Sequence, residues 1–300
     1  MKVNPVYRRE TMVSARSFKL TLVLLIFNGI LALVALLNMY STLAQVRLTA
    51  EIQYSSFLDL YVFVAVLEFV MLIFIMPAIT AGGISGERER QTLDLMLTTR
   101  MTPAQIIVGK MMSALSTMFM LIISSFPILA MVFVYGGVTL RDIGLLLLCY
   151  LAAALFIGSL GICCSALFRK STLSTVVSYA MMAVVVIGTY GVNQFAEYMS
   201  RMHMGSLLAS VGQAAGPETS GGFLYLLLLN PTTTFLAMMM RLAGTEIEQV
   251  DAGIFSWFGS HEPNLVAGRW VEYSIVIQLL FAALFIWIAI RAISPKWKKR

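Results

Sequence analysis

Gly86-Glu87-Arg88-Glu89-Arg90-Gln91-Thr92-Leu93-Asp94-Leu95-Met96-Leu97-Thr98-Thr99 is a charged, helix-prone island between two long apolar segments. The chain from Phe57 to Ile84 has the character of a membrane span, and so does the chain from Met111 to Tyr135. Within the island, Glu87, Arg88, Glu89 and Arg90 alternate in sign. Leu93, Met96 and Leu97 fall on one helical face at spacings of three and four, and Leu95 and Met101 extend it. A short helix with an apolar ridge and charged flanks is shaped to enter a groove on a soluble partner. The plainer reading is a solvated loop with ordinary ion pairs. Length argues against it, because a simple connection between spans needs only a few polar residues.

Working outward, the composition excludes a soluble domain. The 300 residues are 59% hydrophobic and only 12% charged, with a mean hydropathy of +0.85. Soluble domains carry about 25% charged residues, so this chain cannot cover a water-facing surface and is expected to be an integral membrane protein. The first apolar run begins near Leu20, is followed by no small-residue cleavage site, and reads as a retained span. Cys149, Cys163 and Cys164 lie in one apolar run and offer no disulfide framework; they read as small packing residues.

A helix needs about 20 apolar residues to cross the hydrocarbon. Six runs qualify, at 20–44, 57–84, 104–135, 143–168, 172–192 and 271–290. Thr102-Pro103-Ala104-Gln105 is a capping box with proline in the first helical position, so the third helix starts outside the bilayer and enters it after Lys110. With the N-terminus inside, Lys2, Arg8, Arg9, Arg16, Lys19, Arg88, Arg90, Arg100, Lys110, Arg169, Lys170, Arg291, Lys296, Lys298, Lys299 and Arg300 are cytoplasmic. Arg47, Arg141, Arg201, Arg241 and Arg269 remain outside. This asymmetry places both termini in the cytoplasm. A single membrane domain then fills residues 1–300, with a basic segment at 1–19 ahead of the first span and the charged connection at 85–102.

Phe223–Met240 contests the count, since it is nearly long enough to span. It is broken by Asn230-Pro231-Thr232-Thr233-Thr234, and proline interrupts helix hydrogen bonding. A seventh span would also put Lys296–Arg300 outside. The expectation is a re-entrant element over 223–240, within an extracytoplasmic loop at 193–269. That loop is acidic, with Glu197, Glu218, Glu246, Glu248, Asp251 and Glu262; Trp257 and Trp270 suit a membrane interface.

No catalytic site is expected. The only Gly-Lys pair, Gly109-Lys110, precedes Met111 and has Ala104 where a phosphate loop needs its first glycine. No nucleophile–base motif or metal cluster is apparent, and no nucleic-acid partner is expected. Met199, Met202, His203 and Met204 have ligands suited to Cu(I), but methionine is more often a filler of cores and adaptable surfaces.

Glu68 is the one carboxylate well inside a span. It lies nine residues after Asp59, so ~13 Å deeper at about 1.5 Å per residue. A charge at that depth costs about 2.5–3.5 kcal/mol on insertion scales. Glu68 must face an aqueous path between two copies of the chain, pair with a polar group such as Asn28 or Gln278, or carry a proton.

The island resembles the coupling segment of type-2 ABC-transporter permeases, where Gly-Glu-Arg-Glu-x-x-Thr-Leu-x-Leu-Leu-Leu-x-Thr recurs. The likeness extends over nearly the whole chain. Asn4-Pro5-Val6-Tyr7-Arg8-Arg9-Glu10 is similar to the opening of the family's interfacial helix, with Arg8, Arg9 and Glu10 on it. Pro77-Ala78-Ile79-Thr80-Ala81-Gly82-Gly83-Ile84-Ser85 leads into the island as the family does, and Asn230-Pro231 matches a turn before the last span. The resemblance implies an all-α integral membrane fold of six transmembrane helices. It implies a membrane-spanning exporter subunit whose Glu87, Arg88, Glu89, Arg90, Thr92, Leu93, Asp94 and Leu97 couple to a separate cytoplasmic ABC ATPase. ATP and Mg would bind to that partner, and the permease would pair as a homodimer or heterodimer in the plasma membrane. The other reading is a membrane anchor or sensor that recruits an ATPase without transporting. The substrate is not legible.

Overall fold

In the computed structural model the described residues are 5–15, 17–49, 55–98, 101–135, 139–211, 221–242 and 269–294. Among them the regular structure is all helix, with no strand, as the apolar runs require. In chain order the α-helices are α1 (Pro5–Ala15), α2 (Phe18–Thr49), α3 (Ser55–Thr80), α4 (Ser85–Glu89), α5 (Thr92–Thr98) and α6 (Pro103–Tyr135). They continue with α7 (Leu140–Leu167), α8 (Ser171–Ala183), α9 (Thr189–Val211), α10 (Pro231–Leu242) and α11 (Trp270–Ile293). A π-helical turn, Val184–Gly188, joins α8 to α9, and a 3-10 helix, Gly221–Leu229, precedes α10.

Among the described residues, six stretches are long and apolar enough to cross a membrane: Leu20–Ser41, Tyr61–Glu89, Pro103–Ile128, Leu140–Leu167, Ser171–Ser200 and Trp270–Ile293. Their outward faces are apolar. Leu25 is 69% exposed and Leu280 is 65% exposed. Apolar faces of this extent along such long helices suit a lipid surround.

The chain forms two compact units, residues 1–178 with 282–300, and residues 179–281. In the first, α3 packs along α6 and α7 at close range. The approach depends on two glycines of α7. A Cβ on Gly161 would sit 2.1 Å from Thr80 Oγ1, and one on Gly158 would sit 2.6 Å from Met76 Cε. Small residues let membrane helices approach closely enough for dispersion contacts to hold them. Cys149, Cys163 and Cys164 form no disulfide and are buried in α7, where they pack.

The capping box at the start of α6 forms as the sequence predicts. Thr102 N donates to Gln105 Oε1 at 3.1 Å, and Gln105 N donates to Thr102 Oγ1 at 3.3 Å. A second box, between Thr139 and Asp142, starts α7. The fifth apolar run differs from its expected bounds. The helix does not end before Asn193 but runs on to Val211, inside the stretch expected to be loop. Thr189, Asn193 and Glu197 explain this: they recur every fourth residue and all are buried, so polar side chains line one helical face and do not stop the helix.

The second unit contains the break at Asn230. The segments Gly222–Leu229 and Pro231–Met240 meet at 94°, so the described residues hold six helices long and apolar enough to cross, or seven if the bent pair counts as one span. Leu227, Leu228, Ala237 and Trp270 form the buried apolar cluster beside it. Asn4, Arg16, Arg100, Glu218, Glu246, Glu248, Asp251, Trp257, His261, Glu262 and the tail Lys296–Arg300 lie outside the described residues, as do the side chains of Lys19, Arg201, His203 and Met204.

Candidate functional site

The island begins with a buried turn. After α3 the chain turns through Ala81–Ile84, with Gly83 N donating to Thr80 O at 3.1 Å. The first amides of a helix have no partner inside it. Here α7 supplies one: Ser165 Oγ accepts from Ile84 N at 2.8 Å and from Ser85 N at 2.9 Å. Ser174 of α8 donates to Ala81 O at 2.7 Å. Three elements thereby fix where α4 starts.

The charges of α4 are taken up inside the first unit. Arg88 donates to Ala166 O at 3.1 Å and Phe168 O at 3.3 Å, which are the unpaired carbonyls at the C-terminal end of α7. Glu89 accepts from Ser171 N at 3.0 Å and from Ser171 Oγ at 2.7 Å, at the N-terminus of α8. A cation thus meets the negative end of one helix and a carboxylate meets the positive end of the next. Glu87 accepts from the Thr92 hydroxyl and lies 3.4 Å from Lys110 Nζ.

Arg90 and Gln91 are exposed, and Gln91 adopts φ 58° to turn α4 into α5. On α5, Leu93 is 4% exposed and anchors the helix to the chain itself. Met96 and Leu97 are half-buried, while Asp94 and Leu95 are open and Leu95 is 72% exposed. The apolar ridge expected over Leu93 and Leu97 is therefore divided: its Leu93 end faces inward, and Leu95 is the large apolar side chain left outside.

Helix α1 packs along α6. Val6 is buried, and Tyr7 Oη and Ser116 Oγ share a hydrogen bond of 3.0 Å. Glu10 Oε1 lies 2.5 Å from Lys110 Nζ. Arg8 and Arg9 are exposed, free to meet headgroups or a partner. The sequence counted Lys110 only as an orienting charge. Its place in a helix start rich in small and apolar residues, with Ile106, Ile107 and Met111 around it, is what could have marked it as inward-facing.

Glu68 is 4% exposed and sits inside the first unit. The Ser125 hydroxyl of α6 donates to its carboxylate. Tyr150 of α7 lies against it and donates to Ala65 O at 2.7 Å. Neither partner named from the sequence takes this role. Asn28 Nδ2 donates to Leu24 O at 2.9 Å and to Ser124 Oγ at 3.0 Å, and Gln278 bonds within the second unit.

A family model described as "ABC-2 family transporter protein" matches residues 28–291. The chain belongs to this ABC-2 transporter family. It is a multi-pass membrane transporter subunit, of the kind that works with an ABC ATPase. No curated protein matches the chain.

The second unit of this ABC-2 permease holds Asn230 and Pro231. Asn230 Nδ2 donates to Val186 O at 2.9 Å and to Thr189 Oγ1 at 3.0 Å, while Asn230 Oδ1 accepts from Thr232 N at 2.9 Å. Gln278 donates to Thr234 Oγ1 at 2.8 Å and Ser274 Oγ at 3.1 Å, and Ser274 donates to Leu228 O at 2.6 Å. The sequence named the turn but not the polar ladder Thr234–Ser274–Gln278 that ties it to α11. Among the described residues no group of three His, Cys, Asp or Glu side chains gathers to hold a metal.

Proposed function

We propose that this permease is the membrane half of an ATP-driven exporter, and that a separate cytoplasmic ABC ATPase docks on the outer face of α5. ATP and Mg bind to that partner, and two permease chains, identical or paralogous, complete the assembly in the plasma membrane. The observation that carries the reading is the split face of α5. Leu93 holds the helix to the permease, and Asp94, Leu95 and Thr98 stand open beside Arg90 and Gln91. A short helix that presents an apolar side chain between charged flanks has the form that enters a groove on a partner. The positive-inside asymmetry supports a cytoplasmic location for this face and for both termini, and the 94° bend at Asn230 supports a re-entrant element over 223–240.

ATP-driven closure of the partner would displace α5 and shift the spans between inward and outward openings. The test is affinity capture of the cognate ABC ATPase. Leu95→Asp should reduce capture about tenfold or more while the permease still folds, whereas Leu93→Asp should lower the unfolding temperature of the permease itself. Equal capture by Leu95→Asp and parent would refute the docking face. Cysteines placed at Arg90 and Arg269 settle sidedness: the first should label only after permeabilisation and the second from outside.

A further inference from the structure

Every ionised side chain of α4 is turned onto the permease's own helices, and each goes to a different one. Glu87 faces Lys110 of α6, and Lys110 continues to Glu10 of α1. Arg88 holds the end of α7, and Glu89 holds the start of α8. An α-helix of five residues does not persist alone in water, so these attachments define it. The connection from α4 to α5 is only Arg90-Gln91, with Gln91 in a left-handed turn. A displacement of α5 has little slack in which to dissipate.

We propose that α4 is the joint behind the docking helix, delivering its movement to α1, α6, α7 and α8 together, and that Lys110 is the positioning residue that includes α1. This rests on the docking reading above. Lys110 is 6% exposed, while Glu10 and Glu87 are 32% and 19% exposed. A cation that buried needs a carboxylate partner, and Lys110 reaches one on α1 and one on α4. Without Lys110, α1 would keep its apolar contact through Val6 and its Tyr7–Ser116 hydrogen bond, but would lose its charged tie to α4. The tie therefore governs whether α1 follows α4 more than whether α1 folds.

The experiment uses the permease assembled with its ATPase in lipid nanodiscs, with a spin label on Val13→Cys, an exposed position of α1. Trapping with ATP and vanadate should change the label's mobility in the parent. Lys110→Met and Glu10→Gln should each shrink that change about fivefold or more, with ATPase capture at the parent level. Lys110→Arg should retain it. An undiminished change in Lys110→Met overturns the proposal. The permease alone supplies a second arm. The losses in unfolding temperature of Lys110→Met and Glu10→Gln should fail to add in the double variant, and simple additivity would also overturn it. If Leu95→Asp still captures the ATPase, transmission through α4 falls together with the docking reading, and intact non-additivity at Lys110 then shows that the fault lies in the docking.

Discussion

Asn230 Nδ2 donates at 2.9 Å to the carbonyl of Val186, a residue of the π-helical turn between α8 and α9. A π-turn displaces carbonyls from the regular α ladder, and such turns need partners from outside it. The same amide nitrogen reaches Thr189 Oγ1, and the same side chain caps Thr232 at the start of α10. One asparagine therefore ties an irregular turn in one helix to the break in the next. Asn230→Ala should cost about 1–3 kcal/mol, the cost of leaving buried polar groups unpaired. Asn230→Asp should cost at least as much, because its second oxygen cannot donate to Val186 O. Thermal unfolding of the purified permease in detergent measures both.

Gly161 predicts a steric effect of opposite origin. Its missing Cβ is what admits the Thr80 side chain, whose hydroxyl donates to Met76 O at 2.7 Å. Gly161→Val should destabilise by about 1–3 kcal/mol through overpacking between α3 and α7. Thr80→Ala should recover part of the loss of Gly161→Ala, because the 2.1 Å approach is to Oγ1 while Thr80 Cβ stands at 3.1 Å. Additive losses in the double variant would count against this contact as the cause.

How far the sequence could be read depended on the distance over which each residue acts. The spans were legible because hydrocarbon imposes a length and a composition on every helix. The box at Thr102–Gln105 was legible because it closes within one turn. The charged island was legible as an island, but the destinations of its charges were not. Arg88 finds its carbonyls 78 and 80 residues on, and Lys110 finds Glu10 100 residues back. No local pattern encodes such pairings. The end of the fifth run was misjudged for a related reason. Asn193 and Glu197 lower the hydropathy as a loop would, and only packing reveals that they share a buried face.

Gln91 is the one non-glycine described residue with positive φ, at 58°. Side chains with a Cβ are disfavoured there by about 1–2 kcal/mol, and glycine escapes the penalty. Gln91→Gly should therefore keep or slightly raise the unfolding temperature, and Gln91→Ile should lower it. Because Gln91 is exposed and joins α4 to α5, the glycine variant should also loosen the hinge. ATPase capture should stay near the parent level in Gln91→Gly while the vanadate-trapped response of α1 weakens. An unfolding temperature lowered by glycine would show that the side chain, and not the backbone, holds the turn.

Glu68 separates two roles for a carboxylate in a span. Between two copies of the chain it would be solvated and tolerant of truncation. Inside one copy it is part of the packing of α3, α6 and α7, as its 4% exposure, the Ser125 hydrogen bond and the neighbouring Tyr150 indicate. Glu68→Ala should then remove a buried partner of Ser125 and leave a cavity, at a cost of about 2 kcal/mol or more. Glu68→Gln keeps the volume and an oxygen to accept from Ser125, so it should unfold within a few degrees of the parent. Ser125→Ala should add little to Glu68→Ala, since the two side chains share one contact. If Glu68→Ala unfolds at the parent temperature, the carboxylate is not a packing element, and its cost of insertion must be offset by water at an interface between copies.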